Sequence, residues 1–349
     1  MRLFLILASV CCAFAADLKF KTQTVADDLR GGYHVVVTDM NRDGKPDLIA
    51  LASGLDELIW YENPTWTRHV IARGLKGMIN CAVLGDDIVV AHGFDNDASK
   101  SEGIVSVLHR PDDAAGLWTV REIDRLPTSH RLRVAELEGR KIVANAPLTG
   151  AAARPPDFKD QVPLVFYRPG EWKREFIDDR NFGVQHGIFV DGGSILTASF
   201  AGIHRYAHTR KGWTRTEISK GDPTPCPKCG ASDIAVTRDG AIVSIEPWHG
   251  NQIVEYRKGR GRKVIDDSLS DTHSITAADL DGDGRDELIV AQRGAPGRVL
   301  IYRAGKKMVI DEGITAAMCA AADLDGDGRI DLACIGSGSH NLKVYWNQR

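Results

Sequence analysis

One nine-residue phrase restricts this chain more than any other feature, because it recurs three times. It reads Asp323-Leu324-Asp325-Gly326-Asp327-Gly328-Arg329-Ile330-Asp331, and its spacing returns at Asp279, Asp281, Asp283 and Glu287 and at Asp39, Asn41, Asp43 and Asp47. Oxygen-bearing side chains occupy positions 1, 3, 5 and 9, and position 6 is glycine, which allows the tight turn that wraps ligands around one hard cation. The carbonyls of Lys45, Arg285 and Arg329 stand at position 7 as further ligands. The pattern predicts up to three calcium sites. An EF-hand needs a bidentate Glu at position 12, where this chain has Ala50, Val290 and Cys334 inside apolar runs. The loop therefore joins two strands, and the alternative of metal-free acidic hairpins is disfavoured by mutual carboxylate repulsion.

A second period surrounds these loops. Seven segments end in a basic or Trp-led stretch and an apolar pair, their last apolar residues being Val25, Ile71, Ile123, Ile177, Ile218, Ile265 and Ile310. The steps of 46, 52, 54, 41, 47 and 45 residues have the size of a four-stranded propeller blade. Each period contains a buried-type strand, such as Leu48–Ala52 or Asp331–Ile335, and another often ending in an aromatic, such as Leu58–Tyr61 or Leu342–Trp346. The reading is all-β: a seven-bladed β-propeller over 17–349, with the stretch 18–26 closing the ring as outer strand of the last blade.

The three loops resemble VCBS/FG-GAP repeats of integrin-like propellers, which implies calcium in the turn between the first two strands of a blade. Leu58-Ile59-Trp60-Tyr61-Glu62-Asn63-Pro64, followed by Trp66-Thr67-Arg68-His69-Val70-Ile71, is similar to blades of aldos-2-ulose dehydratase-type proteins. That second resemblance implies water elimination from oxidised sugars and carries no individual catalytic residue over.

Arg2, the apolar run Leu3–Val10 and Ala13-Phe14-Ala15 read as a signal peptide over 1–16, so the mature chain is expected to be secreted or periplasmic. No later run spans a bilayer, and a net charge of −3 without a basic stripe excludes a nucleic-acid surface. Five cysteines remain after cleavage, an odd count that argues against a full disulfide framework. Cys226 and Cys229 form a CxxC pair, read as a local disulfide or a metal half-site completed by histidine.

Propeller topology sorts the histidines. His34, His130, His186 and His273 fall at the entries to innermost strands, and His92, His249 and His340 between second and third strands; both sets belong to the face opposite the calcium loops. The first four are the candidate catalytic residues. His92, Arg131, Asp233, Trp248, His249 and Arg293 are the candidate ligand-binding residues, with the insert Pro147–Val162 as a lid. The face is suited to a carbohydrate or other small polar ligand, or to zinc or another divalent cation. The alternative is a non-catalytic adhesion scaffold with a protein partner. The chain is expected to be a monomer. No Ser/His/Asp nucleophile motif, phosphate loop or dinucleotide fingerprint is present.

Overall fold

The computed structural model describes residues 18–349. The signal-peptide reading of 1–16 lies outside the described residues. Twenty-eight strands make seven four-stranded antiparallel sheets. Six blades are consecutive in sequence, spanning 32–73, 80–125, 129–182, 185–219, 234–266 and 272–312. The seventh takes its three inner strands from 316–347 and its outer strand from Phe20–Ala26, which pairs antiparallel with Leu342–Asn347. Gln23 Oε1 accepts from Trp346 Nε1 at 2.9 Å across this seam. The ring closes as expected, and no blade lacks its fourth strand.

Strand composition follows position in the blade. The second strands, such as Asp47–Ala52, Glu287–Gln292 and Asp331–Gly336, are buried along their whole length, because neighbouring blades cover both faces. Hence they read as continuous apolar runs rather than alternating ones. Outer strands such as Phe20–Ala26 are mostly exposed. The core lies between blades: Ile49, Leu51, Leu58 and Trp60 of the first pack with Ile88, Val90 and Leu108 of the second. Each such side chain contributes roughly 1.5–3 kcal/mol relative to exposure.

A polar staple repeats beside this core. A tyrosine of a third strand reaches the acid that follows the apolar pair of the preceding blade's outer strand: Tyr167 to Asp124 (2.7 Å), Tyr206 to Asp178 (3.1 Å), Tyr302 to Asp266 (2.5 Å) and Tyr345 to Asp311 (2.7 Å). The terminal aromatics and the acids after each apolar pair, both visible in sequence, are thus two halves of one contact.

Candidate functional site

The innermost strands enter the ring through a recurring irregularity. The register with the second strand shifts between Gly32 and His34, Ser129 and Arg131, Gln185 and Gly187, Thr272 and Ser274, and Ala316 and Met318. One extra residue sits in each shift, as in a β-bulge, which re-aims a side chain. Those residues are Tyr33, His130, His186, His273 and Ala317. Four of the five converge on the axis: ring centroids are 4.9 Å apart for His130–His186, 5.0 Å for His186–His273 and 4.9 Å for Tyr33–His273. His249 reaches in from the second-to-third connection of the fifth blade, with its ring 4.8 Å from His186 and 5.2 Å from His273.

His34 is a correction. It sits one residue past the bulge, and a one-residue step on a strand reverses the side chain's direction. It is buried, with Nδ1 4.0 Å from Cys81 Sγ, and Tyr33 holds the expected place. The loops carried the signal: counted back six residues from the first Asp of each, Asp39, Asp279 and Asp323, the position is Tyr33, His273 and Ala317.

Hydrogen bonds assign roles to the ring nitrogens. His273 Nδ1 donates to the Ala317 carbonyl (2.6 Å), so Nε2 carries the lone pair and accepts from the Tyr33 hydroxyl (3.0 Å). Tyr33, having one proton, then accepts from His130 Nε2 (2.8 Å). His130 Nδ1 is left as a buried acceptor without a partner. On the other side Arg293 donates to His249 Nδ1 (2.9 Å), which places the proton on His249 Nε2, 3.2 Å from His186 Nε2. Ser232 Oγ lies 3.3 Å from His186 Nδ1.

One nitrogen from each of His186, His249 and His273 lies within 4.8 Å of the others, a set able to hold a metal ion. The donors suit a borderline cation such as zinc, and the His273–Ala317 bond is the outer contact that orients a ligating imidazole. Ligation through His249 Nε2 requires its proton to move to Nδ1, where Asp271 Oδ1 stands 3.5 Å away. His130, His186 and His273 are driven well below the usual histidine range, first by burial and then by nearby Arg131 or Arg293; His249 is lowered by burial and then Arg293. They are held neutral, the form that binds metal, rather than poised to change charge near neutral pH as the residue type alone suggests. His249 also adopts a left-handed backbone (φ 49°), a conformation that costs a non-glycine residue on the order of 1–3 kcal/mol and concentrates at functional sites.

The other expected residues divide. Arg131 lies over the Tyr33 ring, 5.5 Å from its centroid, and Arg293 pairs with Asp271 at 3.0 Å. Trp248 stacks obliquely on His249 (4.9 Å) and is itself flanked by Phe158 and Phe200. Phe158 belongs to the insert after Pro147, which packs Leu148, Ala153 and Phe158 against Val184, Phe200 and Cys229; the insert covers the histidine face. Asp233 is buried below the cluster, accepting from Ile275 N at 3.0 Å. His92 does not join: it is bonded to Ser106 Oγ (2.9 Å) on the next strand, and burial lowers it to about 4. His340 stays outside, accepting from Gly31 N at 3.3 Å. Sequence reasoning missed Tyr33, Ser232, Asp271, Phe158 and Phe200, which carry no motif and are recruited by folding.

On the opposite face the three acidic loops share one geometry. Position 1 accepts from the glycine amide at position 6 (2.9, 3.0 and 2.9 Å), and position 9 accepts from the amide at position 2 (2.7, 2.8 and 3.0 Å). Carboxylate oxygens of Asp279, Asp281 and Glu287, and of Asp323, Asp325 and Asp331, gather within 4.8 Å. Burial, the first cause, and neighbouring acids raise Glu287 to about 7. In this second loop Arg238 pairs with Asp279 at 3.0 Å and Arg303 with Asp281, so cationic side chains already answer its charge.

Cys226 and Cys229 form a disulfide, which discards the metal half-site. A second disulfide joins Cys319 and Cys334, and the odd count leaves one cysteine unpaired. The two residues face each other across adjacent strands with Cα atoms 4.1 Å apart, and buried Cys81 is the free cysteine among the described residues.

The model of the aldos-2-ulose dehydratase β-propeller domain matches residues 102–259, and that of the FG-GAP repeat matches 272–302. Aldos-2-ulose dehydratase of Phanerodontia chrysosporium is 28% identical over 257 residues, covering 60% of this chain and 28% of that protein, so this chain spans little more than a quarter of its relative. Among solved structures, a luciferin-regenerating enzyme (TM-score 0.53, 11% identity, 94% of both chains) and a gluconolactonase from Xanthomonas campestris (TM-score 0.52, 12% identity, 96% of this chain and 92% of that one) share the fold alone. The FG-GAP match is confined to one acidic loop and its flanking strands, whereas the dehydratase match runs through blades two to five. The order of the two sequence resemblances is therefore reversed, and this propeller is similar first to that of the aldos-2-ulose dehydratase type.

Proposed function

We propose that this propeller binds an oxidised sugar at the histidine cluster and eliminates water from it, with a divalent cation on His186, His249 and His273. The observation that carries the reading is the convergence of those three nitrogens beside a Tyr33–His130 pair, in a chain similar to a dehydratase propeller. A cation held there by the three imidazoles would supply Lewis acidity toward the sugar's carbonyl oxygen. The remaining work falls to side chains. His130 Nδ1, bare and buried, takes the proton α to the carbonyl; that C–H electron pair becomes the new C=C as the β C–O bond breaks. The departing oxygen takes the Tyr33 proton and leaves as water. Burial raises the Tyr33 hydroxyl, which suits it to hold that proton until then. The 2.8 Å bond between Tyr33 and His130 returns the proton afterwards. Trp248 offers a stacking wall, and Arg293 a hydroxyl or carbonyl donor.

The test is incubation of zinc-reconstituted protein with a panel of aldos-2-uloses, following the near-ultraviolet absorbance of the unsaturated ketone. Tyr33→Phe and His130→Asn should each lower turnover by about 10²–10⁴. No product from any ulose, or equal turnover in these variants, overturns the reading. The adhesion-scaffold alternative would then stand, though a buried cluster of mutually bonded imidazoles favours chemistry over a flat docking face.

Export and calcium complete the proposal. Loop three, with Asp323, Asp325 and Asp331 gathered and exposed arginine only at Asp327, is the best calcium candidate; loop two, already paired with arginines, is the weaker. No helix among the described residues is long and apolar enough to cross a membrane.

A further inference from the structure

Below the histidines, on the ring's axis, lies a cavity of about 220 Å³ lined by Arg131, Arg133 and Asp233 together with apolar side chains of the inner strands, including Ile275 and Met318. Its charge is unbalanced. Neither arginine has a carboxylate within 4.0 Å among the described residues, whereas the exposed Arg125 and the half-buried Arg174 do. Arg131, 2% exposed, spends one of its five donors on the His186 carbonyl at 3.3 Å and brings another to 3.5 Å from His186 Nε2. Arg133 bonds only through one terminal nitrogen, to Asn80 Oδ1 (3.3 Å) and the Leu132 carbonyl (2.8 Å). Its remaining donors have no protein partner. Asp233 is the single acid on the lining, and one of its oxygens is committed to Ile275 N.

A charge that loses part of its water without gaining an opposite partner is disfavoured, and the two guanidinium groups facing one cavity, Arg131 buried and Arg133 half-buried, add their mutual repulsion. Such a site calls for a counter-charge, and the planar forks suit a carboxylate or oxyanion held through paired N–H donors. We propose that the axial cavity beneath the histidine cluster is an anion site, taking a small carboxylate or inorganic oxyanion between Arg131 and Arg133. The site adjoins the cation set above it through Arg131, which also reaches His186, whereas Arg133 has no hydrogen bond to any of the clustered histidines.

Burial holds Arg133 down to about 10, and Arg131 adds to the depression, which is the direction an absent counter-charge predicts. The same apolar walls limit the guest to a few heavy atoms.

The experiment uses the full protein stripped of metal by chelator and then dialysed free of it, so that occupancy of the histidines plays no part. Thermal unfolding is followed against sodium formate, acetate and phosphate at constant ionic strength, with the unfolding midpoint as readout, alongside calorimetric titration with phosphate. Binding predicts a saturable rise in midpoint at millimolar concentration for at least one of these anions, absent in Arg133→Met. A general salt effect instead rises without saturation and equally in both proteins. Arg131→Met provides a second variant, and the Arg133→Met midpoint in the absence of added anion should equal or exceed wild type, because an unpaired charge has been removed. A non-saturating response, or the same saturable response in wild type and both variants, overturns the proposal.

Discussion

At the residue scale, the histidines act through burial. His130, His186 and His273 are each at most 1% exposed, so alanine at any of them leaves a void as well as removing a nitrogen. Asparagine is therefore the cleaner probe. His186→Asn should weaken zinc binding by about 10-fold or more in competition with a chromogenic chelator, since outer contacts alone are worth 10–100-fold and a ligand at least as much; unchanged affinity would remove His186 from the metal set. Asp266 tests the staples in the same way. Bonds from Lys307 (2.8 Å), Tyr302 (2.5 Å) and Ser268 outweigh burial and hold its carboxyl well below the normal range. Because the folded pKa is depressed, its stabilising contribution is present above the unfolded value near 3.9 and disappears as pH falls through the interval below it. Asp266→Asn should therefore unfold at lower temperature than wild type at pH 6, and the gap should narrow below about pH 4. A gap independent of pH would show that packing rather than charge is at stake.

At the element scale, the acidic loops are nearly self-sufficient. Each satisfies its own amides with its own carboxylates, and positions 4 and 6 take left-handed backbone in all three: Gly282 and Gly284, Gly326 and Gly328, and Arg42 with Gly44. Arg42, a non-glycine at φ 64°, marks the first loop as the strained copy. Calcium at 100 times its dissociation constant should stabilise by about 2.7 kcal/mol per site. Asp325→Asn should reduce the calcium-dependent rise in unfolding midpoint, whereas Asp281→Asn should change it little because Arg238 and Arg303 already pair with that loop. Equal loss in both variants, or no calcium dependence, would count against these assignments. The bulged strand entries are the opposite kind of element. Gly187 follows bulged His186 so closely that a β-carbon would stand 2.7 Å from the Ser232 carbonyl, so Gly187→Ala should displace the strand carrying His186 and impair zinc binding along with stability.

At the scale of the whole molecule, closure depends on one strand borrowed from the other end of the chain. Phe20–Ala26 supplies the last rung of the seventh blade, and Gln348 N donates to the Lys19 carbonyl at 2.8 Å beyond it. A protein beginning at residue 28 would expose Leu342–Asn347 as an edge strand, a template for pairing between molecules. Light scattering should detect association on warming at temperatures where the longer protein stays clear; a monodisperse truncated protein would show that closure does not depend on this strand.

Blade number, strand order, the closing strand and the acidic loops were legible in the sequence because each rests on short-range pattern: a period near 47 residues, runs such as Leu48–Ala52, and ligands gathered within nine consecutive residues. The catalytic candidates were legible only in part. His130, His186, His273 and His249 were assigned to the right face by topology, but Tyr33 was not separable from His34 without the bulge, since one residue of register decides which side chain meets the axis. His92 and His340 share His249's place in the blade, and His340 is left-handed as His249 is, yet only His249 turns inward, held by an Arg293 contact 44 residues away. The missing ion pairs of Arg131 and Arg133 are likewise a property of distance: composition counts them among 44 basic residues against 47 acidic ones, and only the closed ring leaves the two of them facing a cavity whose single acid, Asp233, stands beyond ion-pair distance.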